Sequence, residues 1–501
     1  MPPLVALFAW PVVVAILFQR LRLPLAILVA IVAGYLLLPS STEIDLPLLP
    51  ALNKHTVPVL SVLLMIVLVA ARDRTAHHVP GLLPRHPLAR LFLLLVAVGA
   101  FLTVITNGET LVYGPTVIPG LRPYDGFSEV LTAIMLILPL LVARKYLADP
   151  ASHRLLLLVL CIAGLAYSLL ALFEVRMSPQ LNRWVYGFFP HSWAQHFRGG
   201  GFRPVVFLGH GLWLAIFFSA TVLATLGLAR VDPKRRGLFL AAAVWLLLTL
   251  VLCKSLGALA ITLALIPFAF FLGIRGQLLV AAIIAGLFLT YPMVRASNLV
   301  PLDRIMDAAA SIDEQRASSL QTRLVNEDRL LAKAQERPLF GWGGWSRWRV
   351  FNEDGVDITI SDGAWIIEIG ARGWMGYAGK FGLLTVPILL LFLGRRRSGV
   401  GMETSVLALI MAGNLMDMIP NGTMTVLTWL FAGALWGRLE WQGQEVAQTE
   451  REPASALRSA YRRPVSEPTA ALAEMPTIPS AHETVYTRQT QRVYRQKRSP
   501  R

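Results

Sequence analysis

The residues that decide the fold run from Ser319 to Gly376. Ser319-Leu320-Gln321-Thr322-Arg323-Leu324 opens the stretch, and Arg337-Pro338-Leu339-Phe340-Gly341-Trp342-Gly343-Gly344 follows. Then come Ser361-Asp362-Gly363-Ala364-Trp365 and Gly370-Ala371-Arg372-Gly373-Trp374-Met375-Gly376. Leu320, Leu324, Leu331 and Ala334 recur at helical spacing, which predicts a loop helix over 316–336. A polar segment, Asn352-Glu353-Asp354-Gly355, separates the glycine-rich pieces. The chain on both sides is apolar. A polar, Gly- and Trp-rich insert of this size reads as the extracytoplasmic working loop of a membrane enzyme.

Composition supports the membrane. The 501 residues are 55% hydrophobic and 15% charged, well below the roughly 25% charge of soluble domains. Apolar runs of about 16–20 residues are long enough to cross a hydrocarbon core of roughly 30 Å. Candidate spans fall at 3–18, 23–39, 57–71, 90–106, 127–143, 155–173, 205–229, 237–253, 256–273, 277–294, 374–394, 403–418 and 423–437. The expected fold is an all-α polytopic membrane protein of about 12–14 transmembrane helices with one large periplasmic loop. Its expected parts are helices in 1–294, the loop 295–373, further spans in 374–437 and a disordered cytoplasmic tail over 438–501. The first apolar run ends in Gln19-Arg20-Leu21-Arg22, which is no cleavage site for a signal peptide.

A net charge of +16 raises the question of nucleic acid. The basic residues sit in short connections and in the tail, as the positive-inside rule requires, so no nucleic-acid partner is expected. Arg20 and Arg22, Arg72 and Arg74, Arg85 and Arg90, Arg144-Lys145, Lys234-Arg235-Arg236, Arg275 and Arg395-Arg396-Arg397 can all be cytoplasmic at once. The N-terminus is then outside, as are three longer loops: 107–126, 174–204 and 295–373. The loop 174–204 carries Arg183, Trp184, Tyr186, Phe188, Phe189, His191, Trp193, His196 and Arg198 before Gly199-Gly200-Gly201-Phe202-Arg203-Pro204. Its aromatics are an interfacial belt or a platform for sugar or lipid head groups. Cys161 and Cys253 fall in apolar runs and read as packing residues.

Four residues are candidates for chemistry. Arg203 stands between glycines and a proline where a loop becomes a span, and it either snorkels or aims a guanidinium at a phosphate. His210, two turns further, reads as a satisfied core histidine. Lys254 lies in the short turn Lys254-Ser255-Leu256-Gly257 and is an interfacial anchor or added positive charge at the same site. Arg323 is either the i,i+4 partner of Glu327 or a second phosphate clamp. Asp362 is either a helix N-cap or a general base for an attacking hydroxyl. Glu368 and Glu353 are further carboxylates. No metal-ligand spacing, P-loop or dinucleotide fingerprint is visible, so no metal and no cofactor is expected.

With these residues in hand, the chain resembles the O-antigen ligase and O-antigen polymerase superfamily of bacterial membrane glycosyltransferases. The matching pieces lie in roughly 200–395: Gly201-Phe202-Arg203-Pro204, Lys254-Ser255-Leu256-Gly257, Arg323, Arg337-Pro338-Leu339-Phe340-Gly341-Trp342-Gly343, and Ser361-Asp362-Gly363-Ala364-Trp365 with its later glycines. The resemblance implies a multi-pass inner-membrane enzyme with its active face periplasmic. It implies an undecaprenyl-diphosphate-linked glycan donor and an acceptor hydroxyl on lipid A core or on another glycan. Arg203 and Arg323 would then hold the diphosphate, with no metal involved. Asp362-Gly363 occupies the place where ligases of the family usually carry His-Asn, and Lys254-Ser255 the place of a usual Ser-Arg. A polysaccharide or lipid transporter and a non-catalytic subunit of an envelope assembly are the alternatives in other classes.

Overall fold

The computed structural model describes residues 2–441 apart from 47–48, 70–77, 199, 298–306, 308–310, 312–313 and 395–399. A helix stands at every expected span. Among the described residues eight helices are long and apolar enough to cross a membrane: Pro3–Arg20, Pro87–Ile105, Pro123–Tyr146, Pro150–Met177, Gly211–Val231, Pro233–Leu252, Ile274–Ala296 and Ala364–Gly394. Leu23–Leu37, Val57–Leu68 and Leu256–Phe271 are shorter apolar helices. Met402–Met418 and a helix over 426–441 complete the bundle. The disordered tail expected from 438 lies outside the described residues beyond 441, as do Arg72, Arg74 and Arg395-Arg396-Arg397.

Large apolar side chains face outward along these helices; Val67 is 77% and Phe271 75% exposed, and Phe8, Leu238 and Leu393 are similar. In water such a surface would drive association. Around a multi-pass bundle it is the face that meets acyl chains. The core is built around Gly211–Val231, which is buried on nearly every side. It packs against Pro150–Met177, Arg236–Leu252, Leu256–Phe271 and Met402–Met418.

The chain runs up and down, so its connections gather at two ends. At one end, buried Arg144 pairs with Glu440 at 2.6 Å and donates to the carbonyls of Gly81 and Leu82. Arg154 meets Asp232 at the same end. At the other end, Lys54 donates to the Phe207 carbonyl at 2.8 Å, and Tyr186 to that of Leu37. Burial pushes the Lys54 ammonium down to about 7. The all-helical expectation leaves out three short antiparallel ribbons at this second end: Glu43–Leu46 with Leu49–Asn53, Leu111–Tyr113 with Thr116–Ile118, and Phe197–Arg198 with Gly201–Phe202.

Two boundaries differ most from expectation. The span placed at 205–229 begins its helix only at Gly211. Val205 and Val206 are held out of the helix because their amides donate to the buried Glu174 carboxylate at 2.8 and 2.7 Å. His210 is therefore the N-cap, its Nδ1 accepting from the Leu212 amide at 3.0 Å, instead of lying two turns inside a span. The helix expected from 374 begins at Ala364, and its backbone breaks at Gly373, close to the expected start.

Candidate functional site

The glycine motifs explain the local architecture. The Arg337–Gly343 turn lies backbone to backbone against 370–375. Trp342 and Gly343 donate to the Gly370 and Ala371 carbonyls, while Trp374 and Met375 donate to those of Pro338 and Leu339, all at 2.8–3.1 Å. No side chain fits between the two segments. A Cβ on Gly341, at φ +69°, would stand 2.5 Å from the Ala371 carbonyl carbon. One on Gly373, at φ +62°, would stand 2.5 Å from the Leu339 carbonyl oxygen. Both positions need a left-handed backbone that glycine alone adopts freely. Trp342 then seats between Lys333 at 3.7 Å and Arg337 at 4.1 Å, in cation–π contact with each. Arg337 and Arg347 share Glu109 at 2.8 and 2.9 Å, which ties this layer to the 107–126 loop.

The layer carries the helix Glu314–Gln335 to the end of the bundle. Buried Arg295, in the last turn of Ile274–Ala296, binds Asp328 at 2.6 Å and stands 3.6 Å from Glu327. Glu327 therefore turns inward to Arg295. The anticipated i,i+4 pair with Arg323 is replaced by tertiary partners: Arg323 Nε lies 3.2 Å from Asp362 Oδ2. These two residues, 39 positions apart in sequence, are both about two-fifths exposed. Asp362 does not act through its capping geometry; its partner is Arg323. Ala364, the first helical residue, donates instead to the Asn421 carbonyl.

Arg323, Asp362, Glu327, Tyr291, Ile419 and Pro420 line a cavity of about 140 Å³. Burial in it pushes Glu327 up to about 7, with Arg295 pulling the other way and Asp328 adding to the rise. A carboxyl poised near neutrality is suited to proton transfer. Glu368 is otherwise engaged, bound by Lys380 and lying 3.6 Å from Arg372, which also binds Glu129 at 2.7 Å. Glu353 is exposed in the turn 352–355 and does not line this cavity.

Arg203 and the Lys254-Ser255 turn also come together. Arg203 is buried and donates to Ser255 Oγ at 2.6 Å. It runs so close to Gly211 that a Cβ there would meet its Nε at 2.6 Å. Lys254 has φ +51°, a strained backbone for a lysine. Its Nζ rests where a Cβ on Gly201 would be, 2.5 Å away. Gly201, two residues before Arg203, thus opens room for a lysine. The four residues form two pairs, Arg203 with the Lys254-Ser255 turn and Arg323 with Asp362. Asp417 relates them: this buried carboxylate lies within electrostatic reach of both Arg203 and Arg323. Asn421 donates to it at 2.9 Å, and Thr423 donates as well.

Sequence reasoning missed Asp417, Arg295, Tyr291 and Glu327 as site residues. Asp417 had a readable signal, an ionisable side chain inside an apolar run. Arg295 and Glu327 had none, because their pairing crosses from one helix to another. Chemically, this end of the bundle offers guanidiniums for an anion and carboxylates for a proton. No protein-family model matches the chain, and a comparison with curated proteins finds no match either.

Proposed function

We propose that the chain is a membrane glycosyltransferase that moves a glycan from undecaprenyl diphosphate to an acceptor hydroxyl at the periplasmic face, as a surface-polysaccharide polymerase or an O-antigen ligase. The observation that carries this reading is the Arg323–Asp362 pair in the lining of a cavity, with Arg203 sharing the electrostatic field of Asp417. Arg323 and Arg203 hold the diphosphate through charge-assisted hydrogen bonds. Once a diphosphate oxygen takes Arg323, the Asp362 carboxylate is released to act as base.

The acceptor hydroxyl oxygen then attacks the anomeric carbon. The bond from that carbon to the diphosphate oxygen breaks, the electron pair leaves with the diphosphate, and the hydroxyl proton passes to Asp362. Attack opposite the leaving group inverts the anomeric centre. The arginines stabilise the departing charge, and cleavage of the donor's glycosyl–diphosphate bond supplies the driving force, so no nucleotide is needed.

A second assignment of the base is favoured by one observation: Glu327, in the same cavity, is pushed up to about 7. The pH dependence of transfer by Asp362→Asn and Glu327→Gln separates the two. Loss of transfer at all pH values in Asp362→Asn, with activity kept in Glu327→Gln, assigns the base to Asp362. The opposite pattern assigns it to Glu327. Unchanged transfer in both variants overturns the acid–base scheme. A transporter would move lipid-linked glycan without releasing diphosphate, and an assembly subunit would do neither.

A further inference from the structure

Three imidazoles meet beside Arg203, and neither the anion site nor the proposed transfer uses them. His191, His196 and His210 each present a ring nitrogen within 4.8 Å of the others. Their ring centroids are 4.7, 5.4 and 5.6 Å apart. With metal–nitrogen bonds of about 2.0–2.1 Å and tetrahedral angles, three imidazoles on one zinc ion place their ring centroids roughly 5 Å apart. The rings are therefore already at the spacing a shared metal imposes, with edge-on and tilted planes in place of a stack.

We propose that His191, His196 and His210 form a binding site for a divalent transition metal of the zinc class, which imidazole ligands favour over magnesium or calcium. This inference does not depend on the glycosyltransferase reading. The three ligands come from three local structures. His191 is exposed in the irregular segment before the 3-10 turn Trp193–His196. His196 is buried at the end of that turn, with the Phe189 ring 5.4 Å away at its edge. His210 caps Gly211–Val231.

Ligand nitrogens on one tetrahedral ion sit roughly 3.3 Å apart, so the rings must turn their nitrogens towards a common centre, and exposed His191 has room to do so. At His210 the Nδ1 lone pair is engaged by the Leu212 amide, and the metal takes that place or the ring turns. One capping bond is a small loss beside the affinity of a three-imidazole site. The Arg203 amide donates to the His196 carbonyl at 2.8 Å. A metal here clips the 191–196 segment to the start of a core helix and fixes the ribbon that delivers Arg203. Arg203 and Lys254 nearby favour an anion as its fourth ligand.

The test uses the full chain, purified in detergent without a polyhistidine tag and stripped with chelator. Co²⁺ is titrated at about pH 7.5, where imidazole is neutral, and its visible ligand-field absorption is followed; Zn²⁺ then competes. The expected result is one Co²⁺ bound per chain and displaced by Zn²⁺. His191→Ala, an exposed change that leaves the fold intact, should weaken uptake at least about tenfold, and His196→Ala by about 100-fold or more. Zn²⁺ should also raise the thermal midpoint of the wild type and not that of His191→Ala. Absence of stoichiometric uptake by the stripped wild type, or uptake equal in wild type and His191→Ala, overturns the site.

Discussion

Replacing Gly373 with alanine tests the docking of the two glycine motifs, on which the position of the Glu314–Gln335 helix depends. Gly373 has φ +62° and ψ −166°, a region essentially closed to residues with a Cβ and costing of order 1–3 kcal/mol when forced. The new Cβ would also stand 2.5 Å from the Leu339 oxygen and 2.6 Å from the Phe340 nitrogen. These are backbone atoms, so they retreat only by moving the turn. The Trp374→Pro338 and Met375→Leu339 backbone hydrogen bonds, at 2.8 and 3.1 Å, are then lost, about 1 kcal/mol each. Together the local cost is roughly 3–5 kcal/mol, released by undocking of the turn while the bundle stays folded. At about 1.4 kcal/mol per decade, hydrogen exchange in the peptides covering Trp374 and Met375 should accelerate by roughly 10²-fold to several thousand-fold. Gly286→Ala, in a helix with nothing near its would-be Cβ, is the control and should leave exchange unchanged. Normal protection at Trp374 and Met375 in Gly373→Ala would refute the docking argument.

Two further outcomes follow from charges at opposite ends of the bundle. Glu327 is pushed from 4.5 up to about 7 by burial, so the folded state binds its proton more tightly than the unfolded state does. Its stabilising effect is complete below about pH 4.5 and is lost as pH rises towards 7, at most roughly 3 kcal/mol. Glu327→Gln should flatten the fall in thermal midpoint across that window; an unchanged slope would show that Glu327 does not titrate there. At the other end, Arg144→Ala leaves the buried Glu440 carboxylate without its 2.6 Å partner, at a cost of about 3–5 kcal/mol. The thermal midpoint should drop by several degrees while zinc-class metal uptake is retained, and an unaltered midpoint would mean water already solvates Glu440.

The spans were legible because a membrane demands one property, long apolar runs, that composition alone records. The exception is instructive. Val205, Val206, Phe207 and Leu208 are as apolar as any span, yet Glu174 takes the Val205 and Val206 amides and Lys54 takes the Phe207 carbonyl. Hydropathy sees side chains and misses a buried carboxylate that replaces helical hydrogen bonds. The glycine motifs were legible as parts of a working loop, but that they dock on each other was not. For Arg323 the local rule offered Glu327, four residues on, and the fold supplied Asp362 instead. His191 and His196 were visible in a loop and His210 in an expected span, and the ribbon Phe197–Arg198 with Gly201–Phe202 turns the chain back so that the three meet.

The most direct test of the account is turnover. Purified protein in liposomes would be given lipid-linked glycan with a panel of acceptors, and both released undecaprenyl diphosphate and transferred glycan would be measured, with Arg323→Ala beside the wild type. The account predicts release and transfer in equal amounts by the wild type and a loss of at least about 10²-fold in Arg323→Ala, the scale of removing one group that stabilises developing charge. Folded wild-type protein that releases no diphosphate with any acceptor, or an Arg323→Ala variant that turns over at the wild-type rate, would contradict it.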